Sequence, residues 1–128
     1  MKKLFTLLAL TISFSMNGQT GSTSYGSGTS FGSTENYNSA FGAYALHLNA
    51  SGDNNSAFGY QSLYSNTTGE KNTASGSRSL YSNTTGDSNT AYGNRSLFSN
   101  TTGNYNTASG HQSLYSNTTG ADNTAFGY

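Results

Sequence analysis

The sequence predicts an all-β fold, a parallel β-solenoid or β-roll made of 17-residue coils, and three observations predict it. Leu63, Leu80, Leu97 and Leu114 lie 17 residues apart, as do Gly69, Gly86, Gly103 and Gly120, and Asn72, Asn89, Asn106 and Asn123. Apolar residues make up 32% of the chain, against about 45–50%, Gly included, in an average globular protein, which is too few for a two-layer core. Within the repeats Gly falls inside every would-be helical turn, and neither regular segment of a repeat shows the three-and-four apolar spacing of a helix. A short fixed period describes units stacked on one another rather than a globule closed on itself.

At 128 residues the chain holds at most one ordinary domain. Residues 1–19 read as a signal peptide: Lys2-Lys3, then the apolar run from Leu4 to Phe14, then small and polar residues through Gln19. The apolar run is shorter than the roughly 20 residues that span a bilayer, so export with cleavage near Gly18 is expected, and no membrane span in the mature chain. A helix there would not belong to the mature fold. Residues 20–37 form a Gly/Ser-rich lead-in, a flexible segment or a decayed first coil. Residues 38–128 are the solenoid. Full repeats begin at Asn38, Asn55, Asn72, Asn89 and Asn106, with a partial one from Asn123.

Within a repeat, Asn72–Gly76 and Gln112–Ser116 exemplify two segments expected to be extended, joined by Asn-Thr-Thr-Gly turns in which Gly supplies positive φ. Each repeat is thus expected to run strand, bend, strand, turn, with coils paired in parallel about 4.7–4.9 Å apart. Alternation assigns the faces. Ala57, Ala74, Ala91 and Ala108 and the leucines Leu63, Leu80, Leu97 and Leu114 point inward as a core ladder. Outward lies a continuous aromatic row, Tyr64, Tyr81, Phe98 and Tyr115, and a looser one, Phe41, Phe58, Tyr92 and Phe126, broken by Ser75 and Ser109. A solitary soluble monomer rarely exposes such a stripe, so the continuous row is expected to be an interface between identical chains. Asn72, Asn89, Asn106 and Asn123 form an amide ladder that fixes coil register, and Asn66, Asn83, Asn100 and Asn117 a second.

Asn55-Ser56-Ala57-Phe58-Gly59-Tyr60-Gln61-Ser62-Leu63 and its echoes, from about Asn38 to Tyr128, resemble the head repeats of trimeric autotransporter adhesins. Similar runs occur in tail-fibre-like secreted proteins. The resemblance implies a left-handed parallel β-roll, three chains side by side, and an adhesive role at a cell surface. Two features depart from it: the aliphatic position is here Phe, Tyr or Ser, and the period is longer. No heptad stalk or anchoring barrel follows the repeats, so the chain is expected to be either a piece of a longer fibre protein or a stack whose open end another copy caps. Gly52-x-x-Asn55-x-Ala57-x-x-x-Gln61 and Gly103-x-x-Asn106-x-Ala108-x-x-x-Gln112 also resemble part of the curli subunit repeat, which implies end-to-end polymerisation, although Arg78 and Arg95 stand at the Gln position in two copies.

The remaining chemistry is sparse. Five basic and five acidic residues balance, neither sign forms a run, and nothing points to nucleic acid. The absence of cysteine removes disulfides, thiolate ligands and a lipidated N-terminal cysteine. His47 and His111 occupy different repeat positions, and no histidine or acid column accompanies the repeated serines, so neither an enzyme, a metal site nor a cofactor is expected. Asp53, Glu70, Asp87 and Asp122 sit in turns without the regular pattern of calcium-binding rolls. Two function classes follow. One is an exported structural or adhesive fibre segment, whose partners are copies of itself and a host or surface matrix or glycan. The other uses the Thr67, Thr84, Thr101 and Thr118 column, or that of Thr68, to order water as an ice-binding solenoid does.

Overall fold

The computed structural model describes residues 22–29 and 37–128; the expected signal-peptide helix lies outside them. The architecture is all-β, a parallel solenoid of about six turns. Its strands are β1 (Thr23–Tyr25), β2 (Ser39–Phe41), β3 (Ser56–Phe58), β4 (Thr73–Ser75), β5 (Thr90–Tyr92), β6 (Thr107–Ser109) and β7 (Thr124–Phe126). They form one sheet in chain order, every pair parallel. From β2 onward each residue sits on the one 17 positions later, Ala57 on Ala74 and Ala74 on Ala91. Between β1 and β2 the offset is 16, with Thr23 on Ser39. A strand therefore precedes residue 38, inside the Gly/Ser-rich stretch.

Each coil contains one three-residue strand, not two. The second segment expected to be extended is a chain of turns, because Gln112 and Leu114 take left-handed φ values of 57° and 52°. The same two positions repeat in every coil: Arg78 has φ 58° and Leu80 φ 49°. Left-handed backbone costs a side-chain-bearing residue about 1–2 kcal/mol, so leucine there looks unfavourable locally. It is held because the bend buries the side chain completely: Leu46, Leu63, Leu80 and Leu97 are all 0% exposed. The turns also keep the inter-coil ladder. Arg78 N–H donates to Tyr60 O of the previous coil at 2.8 Å, and Leu80 N–H to Ser96 O of the next at 3.0 Å. Backbone pairing thus continues where the strand geometry stops, which satisfies groups that burial would otherwise leave costly.

The core is a narrow column. Ala40, Ala57, Ala74, Ala91 and Ala108 stack with the leucines at zero exposure, and Leu114 is half-buried near the C-terminal end. Buried asparagines and serines complete each coil, among them Asn72, Ser79 and Asn83. Gly76 explains how the strand leaves the sheet: its φ is +141°, and an added Cβ would lie 2.6 Å from the carbonyl carbon of Gly93 in the next coil. Only glycine permits both the conformation and the approach.

Candidate functional site

The chemistry of this molecule lies in columns running along the solenoid, two inside and several outside. The inner asparagines form two interlocked ladders. Asn83 Nδ2 donates to Asn66 Oδ1 at 2.9 Å, and Asn100 Nδ2 to Asn83 Oδ1 at 2.9 Å, with Asn117 continuing upon Asn100. In the other ladder the acceptor mainly takes a backbone donor: Asn89 N–H donates to Asn72 Oδ1 at 2.9 Å and Asn106 N–H to Asn89 Oδ1 at 3.0 Å. Asn89, Asn106 and Asn123 add amide-to-amide bonds of 3.2, 3.1 and 2.9 Å to the same oxygens. The two ladders meet at glycine. Gly86 O accepts from Asn72 Nδ2 at 2.8 Å and from Asn83 Nδ2 at 2.9 Å. The Asn72 side chain therefore braces its coil across 14 residues while its oxygen fixes the next coil's register.

Outside, Tyr64, Tyr81, Phe98 and Tyr115 stack with ring centroids 5.1 Å apart and planes within 9° of each other. His47 heads the same column, stacked on Tyr64 at 5.1 Å, and its Nδ1 lies 2.6 Å from Gly28 O. From the sequence His47 is weighed only against a metal or catalytic role; the structure shows its ring in the aromatic column instead. The four rings are half-buried against one another. More apolar surface is exposed in the broken row: Phe41, Phe58, Tyr92 and Phe126 are 39–78% exposed, with Phe41 and Phe58 stacked at 5.2 Å. Tyr44 and Tyr60 form a further edge-to-face pair at 6.5 Å.

The strand face carries two columns. Thr23, Ser39, Ser56, Thr73, Thr90, Thr107 and Thr124 form a hydroxyl column. Beside it run Tyr25, Phe41, Phe58, Ser75, Tyr92, Ser109 and Phe126. The sequence reading placed the threonine arrays in the turns and did not single out the strand threonines, because Ser39 and Ser56 mask the column in its first copies. Of the turn threonines, Thr67, Thr84 and Thr101 donate their hydroxyls to the next coil's carbonyl at 2.9–3.0 Å. Their donors are consumed by the stack, while Thr68, Thr85, Thr102 and Thr119 remain exposed.

Stacking also sorts the charges. Asp53, Glu70 and Asp87 share one column, where Glu70 N–H donates to Asp87 Oδ1 and Asp87 N–H to Asn104 Oδ1, both at 2.7 Å. Among the described residues Asp53 Oδ1 is buried without a partner. Arg78 and Arg95 share another column, and Arg78 Nε donates to Gln61 Oε1 at 3.0 Å with its guanidinium 5.7 Å from the Tyr60 ring centroid. Among the described residues no cluster of three or more His, Asp or Glu could hold a metal ion, and no helix is long and apolar enough to cross a membrane.

Comparison of the chain with family models, with curated proteins and with solved structures finds no match. The reading of function therefore rests on the columns themselves.

Proposed function

We propose that the chain is an exported, non-enzymatic segment of a surface fibre, a rod that serves structure and adhesion through its repeated face. The supporting observation is repetition of the outward columns: the strand face sets Ser or Thr beside Phe, Tyr or Ser at each of seven levels. Many identical weak contacts along a rigid rod sum by avidity. The contacts would be made with copies of the chain and with a host or surface matrix or glycan. Export would follow the N-terminal leader, with the side-by-side trimer implied by the adhesin resemblance as one possible assembly.

The test is to collect the exported full chain, measure its N-terminus by mass spectrometry, and follow subunit number by light scattering as concentration rises. Its retention on matrix-coated and glycan-coated surfaces is measured in parallel. A chain that stays monomeric and rinses from every surface overturns the reading. A second reading, a curli-like subunit that polymerises end to end, draws support from the in-register Asn and ring ladders, features that such fibres share. Fibrils in electron micrographs with the solenoid axis along the fibril would favour it.

A further inference from the structure

Charges that are scattered in the sequence stand on opposite edges of the strand face. Asp53, Glu70 and Asp87 each lie three residues before β3, β4 and β5, whereas Arg78 and Arg95 lie three residues after β4 and β5. Lys71 is the one cation on the acidic edge among the described residues. Between these edges run the small hydroxyl column, beside the acids, and the Phe/Tyr/Ser column, beside the arginines. The face is thus lopsided in two ways: large against small, and positive against negative.

From this we infer that the strand face binds the same face of a second copy lying parallel to it, about a two-fold axis along the rod. The inference rests on the fibre reading above and specifies its contact. Rotation about that axis keeps coil levels matched and reverses strand direction across the interface. Each copy's aromatic column then lies on the partner's hydroxyl column, Phe58 on Ser56 and Tyr92 on Thr90. Each arginine edge lies along an acidic edge, with Arg78 level with Glu70 of the partner subunit and Arg95 level with Asp87 of the partner subunit. An antiparallel pairing, made by an axis along the strands, instead sets arginine edge on arginine edge and acid on acid, which is unfavourable. An isologous contact of the first kind is self-complementary in shape and in charge together.

The face supplies a modest area. Seven strands about 4.8 Å apart give a height of about 29 Å, and a width of about 20 Å with the flanking turns makes roughly 600 Å² per copy, short of the ~800 Å² of a standard interface. The pairing is therefore concentration-dependent, and its edge charges matter.

Analytical ultracentrifugation of the exported full chain, at low and high salt, tests this with Glu70→Arg, Arg78→Glu and the double variant. Glu70 is exposed, and melting curves by circular dichroism check that each variant keeps its fold. The expected result is a salt-sensitive dimer, weakened about tenfold by each single reversal, since each breaks two rim pairs, and restored to within about threefold by the double variant. Single reversals without effect, a double variant that stays weak, a trimer, or an Arg78→Glu dimer tighter than the parent would each overturn the parallel pairing while leaving the fibre reading in place. A chain monomeric at every concentration but retained on matrix or glycan surfaces overturns the pairing alone. Monomeric and unretained, it removes both.

Discussion

Replacing Asn83 by alanine removes three buried hydrogen bonds from the middle of the stack. Its amide donates to Asn66 Oδ1 and Gly86 O, and its oxygen accepts from Asn100 Nδ2, all at 2.9 Å, in a side chain with no exposure. Gly86 O keeps a donor in Asn72, and Asn100 Nδ2 keeps Gly103 O. Asn66 Oδ1 loses its inter-coil donor, and Asn100 is left with one amide hydrogen unpaired. A buried polar group left without its partner costs about 1–3 kcal/mol, so the two orphans and the small void predict a loss of about 2–5 kcal/mol. The same change at Asn117 is the control. That residue is half-buried, and among the described residues its side-chain amide donates only to Asn100 Oδ1 and Gly120 O, so water can reach the groups it vacates, and about 1 kcal/mol is expected. Urea denaturation of both variants, followed by circular dichroism, measures the difference. Equal losses at Asn83 and Asn117, or a loss under about 1 kcal/mol at Asn83, would refute the claim that the amide ladder holds the coils.

Three further changes probe other columns. Gly86→Ala is expected to cost about 3 kcal/mol or more, because its Cβ would lie 2.5 Å from both Asn83 Oδ1 and Gly103 O; thermal melts report it, and a neutral result would mean the coils are not so closely stacked. Leu80→Ala is expected to cost about 2–5 kcal/mol and Leu114→Ala less, since Leu114 is only half-buried, as urea midpoints would show. Lys71→Gly is expected to stabilise by roughly 0.5–1 kcal/mol: relief of a left-handed φ of 55° outweighs the glycine entropy cost, visible as a raised melting temperature.

The period alone made the solenoid legible, because Leu63 to Leu114 and Asn72 to Asn123 can stay in register only if coils stack without slip. What the period could not convey was the path within a coil. Ser113-Leu114-Tyr115 alternates like a strand, yet left-handed backbone at Gln112 and Leu114 makes it a bend, and neither residue type signals that conformation on its own. Glycine signals it only in general: the Asn-Thr-Thr-Gly glycines Gly69, Gly86, Gly103 and Gly120 were expected to supply positive φ, yet it is Gly59, Gly76, Gly93 and Gly110, at the strand ends, that take it. Gly69, Gly86 and Gly103 are required instead by close approach to the next coil. The charge edges were hidden for a different reason: Glu70 and Arg78 are unremarkable neighbours along the chain, and become opposite edges of one face only when β4 is placed between them. The His47 ring column was hidden in the same way, since His stands there in one copy and Tyr or Phe in the others.

Residue-resolved amide hydrogen exchange on the exported chain tests the central claim most directly. Stacked coils predict slow exchange that recurs every 17 residues, at Asn72, Asn89 and Asn106 and at Leu63, Leu80 and Leu97, with the middle coils slower than those near Tyr128. Uniformly fast exchange beyond residue 38, or protection without that period, would contradict it.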